Sequence, residues 1–248
     1  MRFRIALAFV LAAGLALVPG RTALAADVRP EAKTPKIKKN QAYVAPDFAA
    51  YGVTALALAP PSSIDHIEEN EKLFGQAIEN GFGNLEGYRF QGSSYFIDGV
   101  RKAGLTDQLA AIEKAALAGL PADSTSVAAL RAQAQVQAIL FGRLSTWQRF
   151  VVDPYARGQS FTQVGGDFAL VSLKDGSLLW RGSFLEKGDG PYNDPNTAEV
   201  TERDVGGNST ARQAQLEPPS FREVLEKLLR RVTATVPKSS APAAKPAP

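Results

Sequence analysis

The chain has no cysteine, one histidine and one methionine in 248 residues. Without cysteine there is no disulfide, no thiolate nucleophile and no cysteine-linked lipid, so a folded domain must be held by its core alone. A single imidazole, His66, leaves nothing to complete a zinc site of three or four nitrogen and sulfur ligands. No segment has the oxygen-ligand spacing of an EF-hand, and no serine sits in Gly-x-Ser-x-Gly, since Gly92-Ser93-Ser94 lacks the second glycine. Past the first twenty residues no apolar run approaches eighteen residues, so no membrane span is expected there.

What is present begins with a leader of export type. Arg2 and Arg4 give a positive start, and Ile5–Val18 has no charge or strong polar group. Pro19-Gly20 then breaks the run, and Ala23-Leu24-Ala25 supplies small residues for cleavage before Ala26. The fourteen residues from Ile5 to Val18 span roughly 21 Å as a helix, short of a hydrocarbon core of about 30 Å. Residues 1–25 therefore read as a cleaved signal peptide, and the expected address is periplasmic or secreted, without a lipid anchor.

Charge is segregated. The leader carries three arginines (Arg2, Arg4, Arg21) and no acid; taking three from 28 basic residues leaves 25, equal to the 25 acids. Residues 41–220 hold 14 Lys and Arg against 21 Asp and Glu, a net −7, with basic ends at Lys33–Lys39 and Arg222–Arg231. A body of that sign repels a phosphate backbone, so nucleic acid is not an expected partner.

Residues 26–42 are rich in Lys and Pro with little to bury and read as a disordered basic leader, and residues 238–248 as a disordered Pro/Ala tail. One domain is expected over 43–237. Val53–Ala59 before Pro60-Pro61 reads as a buried strand, Asp65 and Glu68 as a capping box opening a helix to about Glu79, and Gly87–Gln91 as a second strand. Gly81-Phe82-Gly83 with Gly87 follows a helix, so it is a turn and not a phosphate loop. Helices are expected from Ser93 or Ser94 to near Gly104, from Asp107 to Leu117, and from Ser124 or Ser126. The period then changes. Val136–Leu144, Thr146–Val152, Phe161–Leu173 and Ser177–Leu185 predict three or four antiparallel strands, the last two joined at Lys174-Asp175-Gly176. Glu186–Glu217 reads as a long polar loop, and Pro218-Pro219-Ser220 opens a closing helix striped with Phe221, Val224, Leu225, Leu228, Leu229 and Val232. The expected fold is α/β (α+β): a mixed β-sheet with helices packed on it, an antiparallel block in the second half and a C-terminal helix.

No catalytic, cofactor-binding or metal-binding residues are assigned. His66 reads as an exposed helix-start residue, and no pair among the 25 acids is singled out for glycoside cleavage. Trp147, Tyr155 and Trp180, in or between neighbouring predicted strands, are the candidate binding surface if they share one face. Otherwise the tryptophans fill the core.

The segment Gln137-Ala138-Ile139-Leu140-Phe141-Gly142-Arg143-Leu144, then Trp147, then Ala169–Leu173, Lys174-Asp175-Gly176-Ser177 and Leu178-Leu179-Trp180, resembles a superfamily of bacterial envelope proteins. Its members include the lipoprotein activator of penicillin-binding proteins, the curli secretion lipoprotein and the N-terminal domain of TolB. The resemblance spans roughly residues 50–185 and 219–236, with a hairpin turn one or two residues shorter than usual and without the cysteine that tethers the lipoprotein members. It implies a fold and an envelope address but no catalytic residues. The expected function is that of a non-enzymatic periplasmic accessory protein binding another envelope protein. The alternative is a secreted hydrolase or a glycan- or peptide-binding module.

Overall fold

A computed structural model describes residues 37–195 and 216–239, all within one unit of the fold. The signal peptide, most of the basic leader, residues 196–215 of the expected loop and the tail from residue 240 lie outside the described residues. Seven strands form one mixed sheet: β1 (Gln41–Val44), β2 (Ala55–Leu58), β3 (Ser62–Ser63), β4 (Arg89–Gln91), β5 (Ala138–Phe150), β6 (Gly158–Ser172) and β7 (Leu178–Asn193). The helices are α1 (Glu68–Phe82), α2 (Ser93–Lys102), α3 (Thr106–Ala118), α4 (Ser124–Gln133) and α5 (Phe221–Thr235). The sheet order is β1-β7-β6-β5-β2-β4, with β3 beside the outer edge of β5 beyond β2.

Chirality distributes the helices. The parallel strands β5, β2 and β4 need crossover connections, and such crossovers are right-handed. Going from β2 outward to β4 places α1 on one face; returning from β4 to β5 places α2, α3 and α4 on the other. Side-chain alternation matches this division. Leu56, Leu58, Leu140, Leu144, Phe168 and Leu170 face α1 and α5, whereas Ala57, Ile139, Phe141, Ala169 and Val171 face α2–α4. Each helix turns one stripe inward: Phe74, Ile78 and Phe82 on α1, Val224 to Val232 on α5, Ile112 and Ala116 on α3.

The mixed sheet, its antiparallel block and the closing helix agree with expectation; several boundaries differ. Val136–Leu144 and Thr146–Val152 are not two strands. β5 runs through both, absorbing an irregularity between Leu144 and Thr146 as a bulge. β7 does not stop at Leu185 but continues to Asn193, because β6 extends equally far and its ladder takes up backbone groups whatever the side-chain polarity. Residues 186–193 are therefore strand and not loop. The capping box does not form: Ile67 precedes α1 without a side-chain cap. Glu71 instead accepts hydrogen bonds from the backbone N–H and hydroxyl of Ser63, tying α1 to β3. At the β6–β7 turn Gly176 has φ 77, and a Cβ there would stand 2.6 Å from the Ala122 carbonyl oxygen, so both backbone and space demand glycine.

Candidate functional site

The site develops from the β5 bulge. Leu144 lies opposite Gly166 and Trp147 opposite Val164, so two residues on β6 match three on β5. Strict alternation from Leu144 would turn Trp147 to the α2–α4 face. The extra residue, Ser145, returns it to the α1/α5 face, where its ring stacks on Phe221 with centroids 4.2 Å apart and planes 7° apart.

Phe221 is held there by the chain before α5. The Ser220 hydroxyl accepts the Glu223 N–H as an N-cap, and Thr162 donates its hydroxyl hydrogen to the Pro219 carbonyl at 2.6 Å. Arg149 pairs with Glu217 at 3.0 Å. This strap crosses β7 over Gly190, where a Cβ would come within 2.9 Å of Pro218 Cα.

α5 runs against β7: Gly188 lies under Val224 near the helix start, and Trp180 Nε1 donates to the Thr235 carbonyl at its end. α1 runs against β5, with its Ile78 over Gly142 and its Glu71 bound to Ser63 beside Leu144. The two helices are therefore parallel neighbours, and a groove of about 470 Å³ lies between them. Leu73, Ala77, Leu225, Leu229, Trp147 and Phe221 supply its apolar lining. Gln76, Asn80 and Asn84 stand along the α1 lip, and Arg222, Glu226 and Arg230 along the α5 lip. Leu73 is 45% exposed and displays its side chain in the lining. Arg222 leans on Glu226 at 3.3 Å, whereas Arg230 has no ionic partner among the described residues.

The three aromatic residues offered as a candidate surface are separated. Trp147 is half-buried and lines the groove. Trp180 is fully buried, its indole N–H satisfied by the Thr235 carbonyl, so it is core and displays nothing. Tyr155 sits in the β5–β6 turn, 79% exposed and outside the groove lining. His66 is exposed in the bend before α1 at φ 53, also away from the groove. Leu73 and the three amides were not singled out by sequence; Phe221 was read only as part of the closing helix's stripe and Arg230 only as part of a basic end. Leu73 carried a signal, as an apolar residue off the buried stripe of its helix, and so did the four-residue spacing of Gln76, Asn80 and Asn84.

Among the described residues no three His, Cys, Asp or Glu side chains are grouped to hold a metal ion, and no helix is long and apolar enough to cross a membrane. On the opposite sheet face Arg143 pairs with Asp167 at 3.1 Å, and Arg181 donates to the Leu117 carbonyl at 2.6 Å. Burial lowers the Arg181 pKa, opposed by the nearby Asp167 charge and reinforced by that of Arg143.

No family model and no curated protein matches the chain. Solved structures do. The lipoprotein GNA1162 from Neisseria meningitidis aligns at 18% identity over 65% of this chain and 97% of its own, with a TM-score of 0.37. The hypothetical protein CT253 from Chlamydia trachomatis aligns at 8% identity over 73% and 94%, with a TM-score of 0.41. The C-terminal domain of LpoB from Salmonella enterica aligns at 12% identity over 53% and 81%, with a TM-score of 0.31. Likenesses this distant carry no functional argument.

Proposed function

We propose that this chain is a non-enzymatic accessory protein of the bacterial envelope, and that it holds a segment of another envelope protein in the groove between α1 and α5. The groove carries the reading. Its volume of about 470 Å³ falls in the range of ligand sites, and it combines an apolar floor with polar groups confined to the two lips. The Trp147–Phe221 stack is a rigid, partly displayed aromatic pair of the kind that anchors protein interfaces. Among the described lining residues Glu226 is the one carboxylate, and it pairs with Arg222 at 3.3 Å. The export-type leader supports the envelope address.

Site-specific photocrosslinking tests this. A photoreactive amino acid in place of Leu73, in the native cell, is expected to yield an adduct with a distinct envelope protein. The adduct should disappear when Gly81→Leu intrudes on the groove, where a Cβ at this position already meets Leu229 and Thr233 at van der Waals contact; a melting curve of the variant serves as its folding control. An adduct that survives Gly81→Leu, or one formed only with a second copy of this chain, would overturn the reading.

A further inference from the structure

Resting on that reading, we infer that the groove takes an extended peptide segment, bound through its backbone by the amides of Gln76, Asn80 and Asn84 and through an acidic side chain by Arg230. The spacing is the first ground. Gln76, Asn80 and Asn84 recur every four residues along one lip. Asn84 lies past the end of α1, but Gly83 keeps helical geometry (φ −59, ψ −20), and Asn84 Nδ2 donates to the Asn80 carbonyl at 2.7 Å, so the row continues without a break. Four helical residues rise about 6 Å, and two residues of extended chain advance about 6.6 Å. A row of amides at that interval meets every second peptide unit of an extended chain, and each carboxamide brings both a donor and an acceptor. A helical ligand has no free backbone groups to offer such a row, because its own ladder uses them.

Length agrees. From Gln76 to Asn84 is about 12 Å along the helix, matched by about four extended residues. With the backbone held at the α1 lip, alternate side chains enter the apolar floor beside Ala77 and Leu229 while the others lie at the rim. At that rim the α5 lip carries Arg222 and Arg230 against Glu226, an excess of one positive charge, with Arg230 unpaired among the described residues. The complementary segment alternates apolar and acidic residues. The chain's own leader is the wrong occupant by charge, since Lys33, Lys36, Lys38 and Lys39 would meet Arg222 and Arg230.

Fluorescence anisotropy with the full-length mature chain tests this against four labelled peptides. They are the hexapeptide Val-Glu-Val-Glu-Val-Gly, the same peptide with alternate backbone amides N-methylated, its lysine counterpart, and a hydrocarbon-stapled helical peptide of the same composition. The acidic hexapeptide should bind, with at least tenfold loss on N-methylation and at least tenfold loss for Asn80→Leu. Arg230→Glu should reverse the preference so that the lysine peptide binds more tightly than the acidic one. Circular dichroism melts of both variants, which change exposed lip residues only, serve as the folding control. No binding of the acidic hexapeptide at millimolar concentration, indifference to N-methylation, or tighter binding of the stapled helix would each overturn the inference. If any of these occurs while Gly81→Leu still abolishes the crosslinked adduct in cells, the accessory role stands and only the extended, acidic form of its partner falls.

Discussion

The two faces of the sheet are covered by helices of different origin, and each leaves a groove at a helix junction: about 470 Å³ between α1 and α5, and about 260 Å³ between α2 and α4. On one face α2, α3 and α4 follow one another directly as a single crossover, and their stripes converge on Ala57, Ile139, Phe141, Ala169 and Val171. On the other, α1 is a crossover and α5 a closing helix from the far end of the chain. No short loop ties α1 to α5; each is fixed to its own strands. The groove is the seam between them, with Trp147 of β5 in its lining.

Substitutions on the two faces separate stability from binding. The largest effect is expected on the α2–α4 face: Ile112→Ala, at a fully buried position of α3, should cost about 2–5 kcal/mol in denaturant unfolding. Peptide affinity measured below the melting transition should be unchanged. Next is Gly190→Ala, whose Cβ would strike Pro218 and push the strap that seats Phe221, for about 1–3 kcal/mol of stability. Here peptide binding should fall as well, and wild-type affinity in this variant would show that the strap does not set the groove.

A smaller, pH-dependent effect belongs to Tyr88, which packs against the α1/α5 core and donates its hydroxyl hydrogen to the Pro237 carbonyl at 2.6 Å. Burial pushes its pKa from 10.0 up to about 12. The folded protein thus keeps a proton that the unfolded chain releases, so this contribution is present below pH 10 and is lost as pH rises from about 10 to about 12. The ring is half-exposed, so screening holds the loss to about 1 kcal/mol. Tyr88→Phe should cost about 1 kcal/mol at pH 8 for the lost hydrogen bond and should flatten the fall in stability between pH 8 and pH 11. The same slope in both proteins would assign the alkaline loss elsewhere. The smallest stability change is expected for Leu73→Gln on the α1/α5 face, within about 0.5 kcal/mol, yet it should weaken peptide binding.

Most of the fold was legible where hydrophobic periodicity decides the structure. The stripes of α1, α3 and α5, the buried strand β2 and the β6–β7 hairpin follow from residue spacing alone. β1, β3 and the far half of β7 were not legible, because their pairing depends on partners already in place: Gln41–Val44 joins β7 at Trp180–Ser183, and Lys187–Asn193 is strand because β6 reaches it. The aromatic residues were half legible. Their identity marked them, but nothing local distinguishes Trp180, sealed beneath Thr235, from Trp147, turned toward Phe221. Both face the α1/α5 side, and Trp147 reaches it only through one unmatched residue on β5, which no side-chain pattern announces. The amide row was visible as spacing, although only the arrival of α5 turns it into the lip of a groove.

The bulge at Ser145 has one more consequence. It makes the assignment of Trp147 to its face a matter of counting and not of chemistry. Replacing the Ser145 side chain leaves the number of residues between Leu144 and Trp147 intact, and the indole stays where it is. Deleting Ser145 removes only the unmatched residue: Trp147 then stands two places from Leu144, still opposite Val164 and on the same face, whereas deleting Ser145 and Thr146 together changes the parity, turns Trp147 through the sheet and loses its stack on Phe221.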